Sequence, residues 1–194
     1  MNDSNIQDIP KVYDQLLAKS EELGFTMPSD LYIGPFLKTL VASKPGGNFL
    51  ELGTGMSLSL VWMIEGMDEN SKLTTIDYDQ QLIDVANEFF GHDQRLEIVC
   101  QDGTEWVMAN LDKKYDLIFA DTWAGKYNEL DEVLGMLNVG GIYIIDDMNP
   151  QPNWPHGHAE KADSLVDYLE SRNDLNLVKM NWSTGIIMAT RISE

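Results

Sequence analysis

Apolar positions recur along this chain with two different periods. In "KVYDQLLAKSEEL", Val12, Leu16, Leu17 and Leu23 follow helical spacing. "SDLYIGPFLKTLVAS" repeats that spacing behind a serine and an aspartate, either of which suits a helix N-cap. Two helices therefore precede the first strand. From Asn48 the period shortens to β-type runs: "NFLEL", "KLTTID", "LEIVC", "YDLIFAD", "GGIYIID", "LNLVKM" and "GIIMAT". Helical stretches begin between them, near Ser57, Gln80, Gly103, Tyr127 and Glu160. Strands that alternate with helices need right-handed crossovers, which predicts an α/β fold with a mostly parallel sheet and helices on both faces. Only "NWSTG" links the last two runs, too short for a crossover, so they form an antiparallel C-terminal hairpin in a seven-stranded sheet. The one candidate boundary is "SKPGGN", Ser43 to Asn48, and no repeat or low-complexity tract interrupts a single domain over residues 1–194.

Composition narrows the class. The chain is 43% hydrophobic, enough for a core, yet no apolar run approaches the roughly 20 residues of a membrane-spanning helix. The opening segment carries Asp3, Asp8 and Asp14 where a leader would have a basic start and an apolar stretch, so the expectation is a cytoplasmic protein with no membrane contact. A net charge of −19, from 32 acidic and 13 basic side chains, repels a phosphate backbone and argues against nucleic acid as a partner. Cys100 is the single cysteine, which leaves no intrachain disulfide and predicts a small buried residue at a strand end.

In open sheets of this class, ligands sit beyond the carboxyl ends of the strands, and the first strand-to-helix turn is their usual anchor. That turn reads "ELGTG". Gly53 and Gly55 permit unusual backbone angles and leave no side chain between the main chain and a ligand. Asp77 ends the second run, 22 residues beyond Gly55, where a carboxylate can accept both hydroxyls of a ribose; Asp79 competes from a poorer position. At the next strand tip, "CQDGTEW" offers Asp102 to the exocyclic amine of adenine and Trp106 to a ring face. The alternative is that Asp102 caps the helix beginning at Gly103. Leu58 stands where a dinucleotide fingerprint wants its third glycine, which favours a nucleoside without phosphates over a nicotinamide or flavin.

With "FLELGTGMSLS", "LTTIDYDQQLIDVA", "CQDGTEW", "YDLIFADTWAGKY" and "VGGIYIIDDM" in this order, the chain from about Pro28 onward resembles the class I S-adenosylmethionine-dependent methyltransferases. Among them it is similar to the small O-methyltransferases of the catechol O-methyltransferase type. The resemblance implies a Rossmann-like fold with S-adenosyl-L-methionine as cofactor. Glu51, Gly53 and Gly55 then line the methionine portion with Ser59 assisting, Asp77 holds the ribose and Asp102 lies near adenine; the strand position of Asp121 places it between donor and acceptor. It also implies methyl transfer to an oxygen of a small molecule, with the helices in residues 1–44 as a cap, an acceptor-site element or a homodimer contact.

Two further strand tips carry acids: Asp121 after "YDLIFA", and Asp146 with Asp147 after "GGIYII". Neighbouring parallel strands bring such tips together, where acids repel, bind a cation or shift one another's pKa. In metal-dependent members of the resembled family, the acid matching Asp121 and an Asp-Asn pair hold magnesium. Here the pair reads Asp147-Met148, so Asp121 and Asp147 are the metal candidates. A thioether, a poor ligand for a hard cation, takes the remaining place, and Asn149 comes one residue late. Those members also place a lysine three residues beyond the first acid. This chain has Ala124 there and Lys126 two residues further on. Asp121 is the candidate to take the acceptor's proton, against a helix-capping alternative. The segment "DMNPQPNWPHGHAEK", broken by Pro150, Pro152 and Pro155, is expected to form an irregular wall over the acceptor. Trp154 and His156, with Trp123, are the substrate candidates, and His158 stands beside them. Two other functions stay open: a nicotinamide-dependent oxidoreductase, which Leu58 opposes, and a non-catalytic nucleoside-binding protein, which Met148 and Ala124 permit.

Overall fold

The computed structural model describes residues 2–151 and 154–194, so Pro152 lies outside the described residues. The chain gathers into two compact units, residues 1–101 and 102–194.

In the first unit, α1 (Tyr13–Leu23) and α2 (Ile33–Ala42) lead, as the spacing predicts. The N-cap position of α2 is Tyr32, whose side chain makes no capping bond, and Asp30 accepts the Tyr32 N–H at 3.1 Å. β1 (Asn48–Leu52), β2 (Lys72–Asp77) and β3 (Leu96–Cys100) pair in parallel in the order β3-β2-β1, with α3 (Leu58–Gly66) and α4 (Gln80–Phe90) as crossovers. α3 is buried continuously from Leu58 to Met63, which suits a helix packed on more than one side. α2 covers part of it: Gly34 lets the Trp62 indole approach so closely that a Cβ there would sit 2.2 Å from Nε1. Asp79 caps α4 by accepting the Gln81 N–H at 2.9 Å, which commits one of its carboxylate oxygens to the helix end. β1 and β2 bury both faces, and in their register Glu51 lies beside Thr75. β3 is half-exposed, and Cys100 is exposed, contrary to the expected burial, because this strand borders only β2 in its unit.

The second unit comprises α5 (Gly103–Ala109), β4 (Tyr115–Ala120), α6 (Leu130–Gly135), β5 (Leu137–Ile145), α7 (His158–Ser171), β6 (Leu175–Met180) and β7 (Ile186–Arg191). β5 runs parallel to β4 and antiparallel to β7, and β7 pairs antiparallel with β6, which is the expected terminal hairpin. Two boundaries differ from the sequence reading. α6 starts at Leu130 and not near Tyr127, because the Trp123 carbonyl accepts the N–H groups of Lys126, Tyr127 and Asn128 at 3.3, 2.9 and 2.9 Å. Those bonds wind "WAGKYN" into a tight loop through Gly125 at φ 79°. β5 begins at Leu137 and not at Gly140, with a register shift opposite Tyr115–Leu117 absorbing the glycines. Arg191 closes the end of α6, donating to the carbonyls of Leu134, Gly135 and Leu137 at 3.2, 3.0 and 2.9 Å. Among the described residues no helix is long and apolar enough to cross a membrane.

Candidate active site

The glycine turn of the first unit is a braced loop. Gly53 adopts φ 97° and Gly55 φ 49°; the first lies beyond what a side chain tolerates comfortably, so glycine is required there. The Ile76 carbonyl accepts both the Gly53 and Thr54 N–H groups, at 2.9 and 3.2 Å. Asp77 turns toward this loop and not away from it. Its Oδ2 accepts the Gly55 N–H and its Oδ1 the Asp79 N–H, each at 3.0 Å. A carboxylate has about four lone-pair sites, so two remain for ligand hydroxyls.

Beneath the turn lies a buried polar chain. Glu51 is 0% exposed; its Oε1 accepts the Ser59 hydroxyl and its Oε2 the Thr75 hydroxyl, each at 2.6 Å. Thr75 in turn lies 2.6 Å from the Thr54 hydroxyl, in the residue between the two glycines. Burial pushes the Glu51 carboxyl up to about 7, the Ser59 and Thr75 hydrogen bonds oppose this, and the Asp77 charge adds to it. Glu51 and Ser59 therefore sit under the loop as its support, with their hydrogen-bonding capacity directed at each other.

In the second unit, β4 and β5 deliver Asp121, Asp146 and Asp147, with one ligand atom from each inside a 4.8 Å cluster. Asp147 has φ 50°, a left-handed turn of the chain at the strand end. Asp146 is 2% exposed, and among the described residues its Oδ1 has no hydrogen-bond partner. Burial above all, then the charge of Asp121, holds its carboxyl well above the usual carboxylate range. Lys126 opposes this, and Asp147 and a hydrogen bond with Asp121 reinforce it. The orphaned oxygen and the all-carboxylate donor set fit an oxygen-preferring divalent cation. Asp146 joins the two metal candidates, Asp121 and Asp147, in this group. Asn149 is directed elsewhere, its amide donating to Asn181 at 2.9 Å. Lys126 is 5% exposed and donates to the Asp146 carbonyl at 2.7 Å, so a lysine from a later position does reach the neighbourhood that Ala124 cannot.

Beside these acids is a cluster of rings. His158 stands 5.8 Å from Trp123, 5.2 Å from Tyr127 and 4.5 Å from Trp154 between ring centroids, and its Nε2 meets the Tyr127 hydroxyl at 3.1 Å. Burial lowers the His158 pKa, with Lys126 and Lys161 adding to the effect and Asp147 opposing it. Tyr127 is pushed up to about 12 by burial and by Asp147. Trp123 is 45% exposed, with the Lys161 ammonium 4.5 Å from its ring. It borders a cavity of about 700 Å³ that continues along α6 and α7 past Glu129, Glu160 and Tyr168. Trp123 and Trp154 therefore come together as expected, but the histidine they meet is His158; His156 is exposed in the turn before α7. Asp102 caps α5 through the Glu105 N–H at 3.1 Å, and Trp106, 3% exposed, is a core residue and not a ring platform.

The O-methyltransferase family matches residues 12–183 of this sequence. The chain belongs to that family. A relative from Mycobacterium avium (strain 104), whose name assigns it provisionally to the O-methyltransferases, is 28% identical over 145 residues, covering 68% of this chain and 63% of its own length. The chain thus spans under two thirds of the curated relatives it matches first. Among solved structures, the Bacillus cereus O-methyltransferase in complex with S-adenosylhomocysteine superimposes with a TM-score of 0.78 at 17% identity, over 97% of this chain and 94% of that one. The O-methyltransferase TomG of Streptomyces achromogenes, involved in tomaymycin synthesis and solved with S-adenosylmethionine, gives 0.79 at 16% identity, over 98% and 93%. At such identities the likeness establishes the fold: a mostly parallel, Rossmann-like, seven-stranded sheet with an antiparallel end.

Residues that the sequence reading passed over were Thr54, Thr75 and Tyr127. Thr75 had a usable signal, since it shares a buried strand register with Glu51. Tyr127 had none until the loop closed on the Trp123 carbonyl.

Proposed function

We propose that the protein transfers the methyl group of S-adenosylmethionine to an oxygen of a small molecule. The observation that carries this is the Asp77 carboxylate hooked onto the Gly55 N–H beneath a glycine turn, in a chain of the O-methyltransferase family. In this reading Gly53, Gly55 and the supporting pair Glu51 and Ser59 receive the methionine portion. Asp77 takes the ribose hydroxyls, Asp102 lies toward adenine through its oxygen not used in capping, and Asp121 belongs with the reacting groups. Trp123 and Trp154 form walls for the acceptor.

The sulfonium donor is already activated, so the protein's share of the chemistry is alignment of the acceptor oxygen with the methyl carbon and removal of one proton. Asp121 accepts that proton. Asp121, Asp146 and Asp147 would hold a divalent cation, which when bound lowers the pKa of an acceptor hydroxyl. Lys126 fixes the β5 end through the Asp146 carbonyl, and so keeps the acids in register. The same reading places the protein in the cytoplasm, acting as one domain without nucleic-acid partners, with the leading helices available for a homodimer contact.

Thermal shift tests it. S-adenosylmethionine and S-adenosylhomocysteine should each raise the melting temperature and NAD should not, by mass action on the folded state. Stabilisation by NAD alone overturns the reading. Tight S-adenosylhomocysteine binding with no turnover across a broad acceptor panel, with and without magnesium, would leave a binding protein in its place.

A further inference from the structure

The buried chain Thr54–Thr75–Glu51–Ser59 carries more than support, because its hydrogens can be counted. Its members are 1%, 0%, 0% and 2% exposed, so they have little but one another as partners. A serine or threonine hydroxyl has one hydrogen to give. With Glu51 ionised, Ser59 gives its hydrogen to Oε1 and Thr75 gives its own to Oε2, so Thr54 must be the donor in its contact with Thr75. All three hydrogens then point inward. A proton on Glu51 reverses one arm of the chain. The carboxyl donates either to Ser59, whose hydrogen is released, or to Thr75, whose hydrogen passes to Thr54 and releases that one instead. Both ends lie at the turn: Thr54 between the two glycines, and Ser59 in the first turn of α3.

A ligand carboxylate arriving here needs donors, and the backbone has spent several. The N–H groups of Gly53 and Thr54 are held by the Ile76 carbonyl, that of Gly55 by Asp77, and that of Ser57 by the Thr54 carbonyl. We propose that Glu51 is a positioning residue that takes up a proton when the amino-acid end of the methyl donor binds, turning the Ser59 hydroxyl into a donor for the ligand carboxylate. The inference rests on the methyl-donor reading above. Two facts make such an uptake accessible near neutrality. Glu51 is already displaced to about 7 by burial, and the other charge acting on it, that of Asp77, favours the proton as well. The ligand carboxylate acts in the same direction when it is seated closer to Glu51 than the α-ammonium beside it.

Calorimetric titration distinguishes the possibilities. S-adenosylhomocysteine is compared with 5′-methylthioadenosine, which has the same adenosine and thioether but no amino-acid end, from about pH 6 to about pH 8 in two buffers of different ionisation enthalpy. Wild type should take up protons on binding S-adenosylhomocysteine, and its dissociation constant should weaken with rising pH, by up to about tenfold per pH unit, the limit for one linked proton. 5′-Methylthioadenosine should show neither effect. Glu51→Gln, whose amide donates and accepts as the protonated carboxyl does, should bind S-adenosylhomocysteine with no proton uptake and a flat profile. The wild-type proton count stands by itself should that variant fail to fold. S-adenosylhomocysteine binding without proton uptake, or tighter at pH 8 than at pH 6, overturns the inference while leaving the methyl-donor reading intact. No binding of either nucleoside overturns that reading, and this inference with it.

Discussion

Glu51→Gln also makes a prediction about the unliganded fold. The carboxyl titrates at about 7 in the folded chain against 4.5 when exposed, chiefly through burial. Because the folded value is the higher, the folded state holds a proton that the unfolded state has given up. The stability this contributes is full below about pH 4.5 and disappears as pH rises through about 7. Each tenfold difference in proton affinity between the two states is worth about 1.4 kcal/mol, so the loss between pH 5 and pH 8 is about 2.5 kcal/mol. Glutamine keeps the shape and can bond both Ser59 and Thr75, yet it never ionises. The unfolding free energy of the variant, measured by urea titration, should therefore gain about 2.5 kcal/mol on that of wild type between pH 5 and pH 8. The other acids of this strongly negative chain titrate in both proteins and cancel in the difference. A gap that stays constant to within about 0.5 kcal/mol over that range would refute the reasoning, since it would mean that Glu51 carries the same charge in both states.

Two further substitutions test the architecture and the chemistry. Gly34→Ala places a Cβ 2.2 Å from the Trp62 Nε1, and α2 must move off α3; a destabilisation of about 3 kcal/mol is expected by denaturant unfolding, at the upper end for overpacking. A loss under about 0.5 kcal/mol would show that the two helices are not in tight contact. Asp121→Ala should lower turnover by about 10²-fold or more while leaving the S-adenosylhomocysteine dissociation constant within about threefold, and unchanged activity removes Asp121 from the proton step.

Much of this protein was legible as a string of residues. β1, β2, β3 and β6 match their predicted runs residue for residue, and the short "NWSTG" link forced the hairpin, because strand and helix periods are local properties of the chain. The glycine turn and the placement of Asp77 beside it were legible for the same reason: both follow from position at a strand end. Boundaries failed where a long-range or looped bond took over. The Trp123 carbonyl, by gathering three N–H groups, delayed α6 and brought Tyr127 toward His158.

By itself, the sequence determined which elements form, their order, and which residue types stand at the strand tips. Only the tertiary structure decided which of those residues meet. Successive strand residues point to opposite faces, so nothing in "IIDDM" says that Asp146 and Asp147 both approach Asp121; the left-handed backbone of Asp147 brings them to one cluster. His158 and not His156 completes the aromatic group, because α7 begins at His158 and presents it beside Trp154 and Tyr127. Glu51 owes its displaced pKa to a place closed to water, where Thr75 and Ser59 lie within 2.6 Å, a property of packing that no local pattern encodes.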